Sequence, residues 1–238
     1  MQPEDLNDSS KHRFTNPLEV PDPAGAEREP SRRLWEALNS PEARRHYGAI
    51  ARITGKEWRE AGFGIYDRDG NYKVSSLAQS QDDPDRRALL RASETMRMHE
   101  SLDLTDIILD DDMDHWRRDV VMMLHSHPVG HDGVRATDWL RPSLPDLEVW
   151  ENGMATNPGL IEAIGVVDGT QLRLLMFRQD PNRTVVPYYQ QLDGTESAAR
   201  VVRVLKESRL NVAMVSYDLK AREFADGSQA ALEELFAE

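Results

Sequence analysis

Three features of the sequence predict an α/β fold. Two Asp-Gly turns each separate apolar runs of strand length. Asp67–Asn71 lies between Ala61–Tyr66 and Tyr72–Leu77, and Asp168-Gly169 lies between Ile161–Val167 and Leu172–Phe177. Val120–Leu124 is apolar without interruption, the pattern of a buried strand rather than a half-exposed one. Segments with helical periodicity flank these strands.

In chain order, residues 1–31 are rich in Pro, Asp, Glu, Ser and Asn and poor in large apolar side chains. They bury too little surface to offset the entropy of ordering, so a disordered tail is expected. From Ser31 to Trp58 the apolar stripe Leu34, Leu38, Tyr47, Ile50 and Ile53 predicts helix, with a break and restart at Ser40-Pro41. The first hairpin follows. Asp82–Ser101 reads as a helix with Pro84 in its first turn, and Asp110–Asp114 as an acidic loop. After Val120–Leu124, residues 128–142 form a loop, and Ser143 opens a helix as its N-cap with Pro145 in the first turn. The second hairpin is next. A strand near Val185–Tyr189 and helices near Ser197–Ser208 and Ser228–Phe236 complete the chain, with Val201, Val202, Leu205, Leu210 and Val212 as a packing stripe. The expected units are a tail over 1–31, a main domain over 32–184 and a C-terminal extension over 185–238 packed on the core.

Composition narrows the function. The 238 residues carry 29 Lys and Arg against 42 Asp and Glu, a net charge of -13, which disfavours nucleic-acid binding. With no cysteine there is no disulfide, no thiolate metal site and no thiol nucleophile. No run approaches the roughly 20 apolar residues of a membrane helix, and the N-terminus lacks a secretory apolar core. A cytoplasmic protein with no membrane and no nucleic-acid partner is expected.

The chemistry concentrates in Leu124-His125-Ser126-His127-Pro128 and Pro142-Ser143-Leu144-Pro145-Asp146. Histidines two apart at a strand end point to one side and can hold one metal ion together. A carboxylate from the first turn of the next helix completes a three-ligand face. Two His and a carboxylate with an open fourth position is a catalytic zinc arrangement, in which the pKa of water falls toward about 7. Ser126, between the ligands, alternates away from the ion and reads as structural.

These motifs resemble the JAMM/MPN+ metalloprotease family, whose pattern is an early Glu, then His-Ser/Thr-His-Pro, then Ser-x-x-Asp. The similarity covers roughly residues 50–180. The interval from His127 to Ser143 is longer than the family's, and the inserted Val129–Arg141 also carries His131 and Asp138 as rival ligands. The resemblance implies a mixed, largely antiparallel sheet flanked by helices, of the cytidine-deaminase-like JAB/MPN kind. It implies one zinc ion on His125, His127 and Asp146, with Glu60 as proton acceptor and donor and Ser143 as oxyanion donor. Glu57 is the neighbouring alternative to Glu60 and reads as a solvated helix-end residue.

The implied activity is hydrolysis of the bond after the C-terminal Gly of ubiquitin or a ubiquitin-like protein, as isopeptidase or in precursor processing, with water as nucleophile. Other components of a conjugation operon are further expected partners. An acidic surface suits the Arg that often precedes the glycines of such tails. Alternatives are a JAMM-like peptidase with another protein target and a scaffold without catalysis. His115 and Asp110–Asp114 read as solvated, His12, His46 and His99 as surface or packing residues, Met122 and Met123 as core. Trp139 reads as a loop anchor or a substrate contact.

Overall fold

The computed structural model describes residues 29–57, 59–80, 119–129, 140–180, 182–192 and 196–237. Most of the expected tail, the helix at Asp82–Ser101, the acidic loop and most of the insertion lie outside these residues, as do His12, His99, His115, His131, Asp138 and Trp139.

Two helices open the described chain: α1 over Pro30–Leu38 and α2 over Pro41–Arg52. Asn39-Ser40 breaks them because Ser40 caps α2, its side chain accepting from the Ala43 N–H, and Pro41 supplies the preset φ of a first turn. A π-helical turn, Ile53–Glu57, follows.

Strand β1, Ala61–Arg68, turns back into β2, Asn71–Val74. Asp69 and Gly70 both have positive φ, 53° and 83°, as a two-residue hairpin turn of right-handed strands requires. The second strand of this hairpin ends at Val74, short of the expected Leu77. Short β3, Ala78–Gln79, returns along the start of β1.

Strand β4, Val120–Ser126, pairs antiparallel with β1 and parallel with β5, Ile161–Asp168. The parallel pair needs a crossover, and helix α3, Leu144–Thr156, lies in it. β6, Gln171–Gln179, completes the second hairpin around Gly169.

After residue 184 both expected helices are present, and the strands differ from expectation. Val185–Tyr189 is not a strand, because Pro187 starts a 3-10 turn over Pro187–Gln191. Helix α4, Ala198–Glu207, is where it was expected, and a strand then follows it: β7, Leu210–Asp218. It pairs with β6 from Gln171↔Asp218 to Gln179↔Leu210. Short β8, Glu223–Phe224, and helix α5, Ser228–Glu233, with a 3-10 turn to Phe236, close the described chain.

The strands form one eight-stranded, mostly antiparallel sheet in the order β2-β1-β4-β5-β6-β7-β8, with β3 also on β1. It is a mixed α/β fold with helices on both faces. On one face α1, α2 and α5 cover Phe63, Ile65, Leu124, Ala163, Leu174 and Tyr217. Tyr47 lies at its centre, 4.5 Å from Tyr217 and 5.9 Å from Phe63 between ring centroids. On the other face α3 and α4 cover Met123, Ile164, Val166, Leu175 and Phe177. Met122 and Met123 are divided between the two cores by strand alternation, so both fill space. His46 packs on Phe63, with its Nε2 2.8 Å from the Ser75 carbonyl oxygen. No described helix is long and apolar enough to cross a membrane.

Candidate metal centre

β4 delivers both histidines. The main chain of His127 is still held in register beyond the strand, its N–H donating to the Gly165 carbonyl at 2.8 Å. His125 and His127 therefore project from the same face, the one that α3 covers. Ser126 points the other way. Its hydroxyl lies 2.6 Å from Thr54 Oγ1, donates to the Ala61 carbonyl at 3.0 Å and accepts from the Ala61 N–H at 3.2 Å. The serine between the ligands thus ties β4 to β1 and to the π-helical turn, as its structural reading required.

α3 delivers the carboxylate. Ser143 caps the helix: its Oγ accepts from the Asp146 N–H at 3.3 Å, and the Ser143 N–H donates to Asp146 Oδ2. Asp146 is the third residue of the helix, where an acidic group also complements the helix dipole. The cap uses one lone pair of the Ser143 hydroxyl and does not use its proton. Ser143→Ala is expected to cost about 0.5–2 kcal/mol through loss of this cap, read from denaturant unfolding of the metal-free protein.

The three groups meet. Asp146 Oδ1 is 3.3 Å from His125 Nε2, Asp146 Oδ2 is 3.3 Å from His127 Nε2, and the two Nε2 atoms are 3.0 Å apart. His125 is 1% exposed, His127 4% and Asp146 9%, so the site is closed to bulk water on most sides. Among the described residues this is the group of His and acidic side chains whose ligand atoms lie within 4.8 Å of one another. Nitrogen and oxygen donors fit a borderline divalent ion such as zinc, and nothing in the set is soft enough to select a thiophilic metal. The group could bind a metal ion.

Electrostatics bind the cluster together. Burial by itself raises the Asp146 carboxyl, but His125 and His127 outweigh it and hold the group well below the usual carboxylate range. Burial likewise opposes charge on His125, yet Asp146, and after it Glu162, push its pKa well above the ordinary imidazole value. An ion bound by these side chains competes with protons, so its affinity depends on pH.

Glu60 is buried, 4% exposed. Its carbonyl accepts the Ser80 N–H at 3.0 Å, which fixes the chain just before β1. Gly62 stands opposite His125 in the β1–β4 ladder. Glu60 lies just before β1, two residues ahead of Gly62, so strand alternation carries it toward the face of the sheet that bears His125. Gly62 itself places no side chain over His125. Glu57, the alternative, ends the π-helical turn rather than entering the ladder.

Glu162 was not anticipated. It lies in β5, fully buried at 0% exposure, with Oε1 3.1 Å from His125 Nδ1. Burial raises its pKa to about 7, against the opposing pull of His125. The signal was available: Leu160-Ile161-Glu162-Ala163-Ile164 sets one acid inside an apolar strand, and a buried carboxylate needs a partner.

Compared with protein-family models and with curated proteins, the chain matches none.

Proposed function

We propose that this protein is a JAMM-type zinc hydrolase that cleaves the bond after the C-terminal glycine of ubiquitin or a ubiquitin-like protein, and that its sheet is of the JAB/MPN kind. One observation carries the reading. Two histidines and a carboxylate, the donors of a catalytic zinc site, converge at one buried point.

In this reading His125, His127 and Asp146 hold the ion. Zinc supplies Lewis acidity, lowering the pKa of water and polarising the scissile carbonyl. Glu60 accepts the proton of the attacking water and hands it to the leaving amine. Ser143, whose hydroxyl proton its cap leaves free, donates to the oxyanion as the carbonyl becomes tetrahedral. The substrate class rests on the sequence resemblance. The net charge of -13 supports it, because it suits a tail that carries Arg before its glycines. An extended Gly-Gly segment exposes only backbone, which lets the scissile bond approach a recessed ion.

The test is a panel of ubiquitin-like fusions, lysine-linked adducts and unrelated peptides, incubated with zinc-loaded protein. Cleavage after the terminal Gly-Gly, abolished by chelator, is expected. Cleavage of unrelated peptides alone would move the reading to a peptidase with another target. Intact substrates throughout would remove it.

A further inference from the structure

We infer that Glu162 is a positioning residue for the metal centre: its carboxylate accepts a hydrogen bond from the Nδ1–H of His125, which fixes the tautomer that presents the Nε2 lone pair to the ion. The inference rests on the metal-binding reading above.

Strand geometry places Glu162 for this. In the parallel β4–β5 ladder Glu162 stands beside Met123 and Ile164 beside His125. Alternation puts Met123, His125, Glu162 and Ile164 on one face, with Glu162 one step deeper than His125. The ring is thereby approached from two sides. Nε2 faces Asp146 Oδ1 at 3.3 Å, and Nδ1 faces Glu162 Oε1 at 3.1 Å. The second contact has the distance of a hydrogen bond without its alignment, so His125 Nδ1 and both Glu162 oxygens have no hydrogen-bond partner.

A fully buried carboxylate with no hydrogen bond is costly, and its neighbours on this face are apolar: Ile164, Val166, Leu175 and Phe177. Packing alone would be served better by leucine. A histidine that binds metal through one nitrogen commonly donates the other N–H to a carboxylate, which fixes tautomer and ring orientation and raises ligand basicity.

Two variants test this, Glu162→Leu and Glu162→Gln. Zinc affinity is read by competition with a chelator, and the His125 Nδ1 proton by NMR of the zinc-loaded, histidine-labelled protein. Glu162→Leu is expected to weaken zinc binding by about 10- to 100-fold and to lose the exchange-protected Nδ1 proton. Its metal-free thermal midpoint is expected at or above that of the wild type, because a buried carboxylate has gone. Glu162→Gln keeps an acceptor oxygen, so it retains the proton and binds zinc more weakly than the wild type but more tightly than the leucine variant. If Glu162→Leu does not fold, Glu162→Gln decides alone, with weakened zinc and a retained proton as support. Wild-type zinc affinity and an unchanged Nδ1 proton in a folded variant would overturn the inference. A wild-type protein that takes up no zinc would remove the metal reading, and this inference with it.

Discussion

Glu60→Gln is expected to lower hydrolysis by about 10²- to 10⁴-fold, the usual contribution of a positioned general base, while leaving zinc content unchanged. The amide keeps the shape of the side chain and its capacity to accept a hydrogen bond, but it cannot take a proton from water. Glu60 is not one of the three groups that converge on the metal position. Its burial, and its place two residues before Gly62, which pairs with His125, motivate the proposed role. Single-turnover hydrolysis of whichever Gly-Gly substrate the wild type cleaves, measured at equal zinc loading, reads the effect. Full activity in this variant would transfer the role to another acid, of which Glu57 is the nearest in sequence.

Trp150→Ala is expected to destabilise the protein by about 3–5 kcal/mol, the largest stability effect of the substitutions considered. Trp150 lies one turn beyond Asp146 on α3 and is fully buried. Its ring meets Phe177 edge-on at 5.1 Å and Tyr189 at 5.7 Å between centroids. These contacts anchor the helix that carries Asp146 to β6 and to the 3-10 turn. The truncation should therefore weaken zinc binding as well, although Trp150 is not a ligand. Denaturant unfolding of the metal-free protein measures the first effect and chelator competition the second. A loss below about 1 kcal/mol, the typical cost of an ordinary point mutation, would mean that α3 is held mainly by other contacts.

The parts of the fold legible in sequence are those in which local and tertiary preferences agree. Asp69-Gly70 and Gly169 are turn residues that take up the positive φ their hairpins need. Ser40 and Ser143 are caps that start helices where they stand. Where the two disagree, the reading failed. Val185-Val186 suggests a strand, but Pro187 has no N–H for a ladder and a fixed φ, and a 3-10 turn results. Before β7 the turn residue is Arg209, at φ 64°, a position normally given to glycine. No turn signal therefore separates the stripe of α4 from Leu210 and Val212, and the strand went unread.

The site shows the same division. Strand alternation puts His125 and His127 on one side and the Ser143 cap puts Asp146 in the first turn of α3, while their grouping as one site rests also on the family resemblance; the ligand atoms of the three lie within 4.8 Å of one another. Glu162 was missed because periodicity treats one acid in an apolar run as an interruption. Only the parallel pairing of β4 with β5, a long-range contact, shows that this acid lies beneath a histidine.

In the proposed function His125, His127 and Asp146 hold one metal ion. Elemental analysis of untagged protein tests it directly, for the wild type and for His127→Ala and Asp146→Ala. About one zinc per chain in the wild type, as a three-ligand catalytic site requires, with loss of that zinc in both variants, is the predicted result. Wild-type protein purified without chelator that holds no zinc, and takes up none when it is added, would mean that these three residues do not form a zinc site.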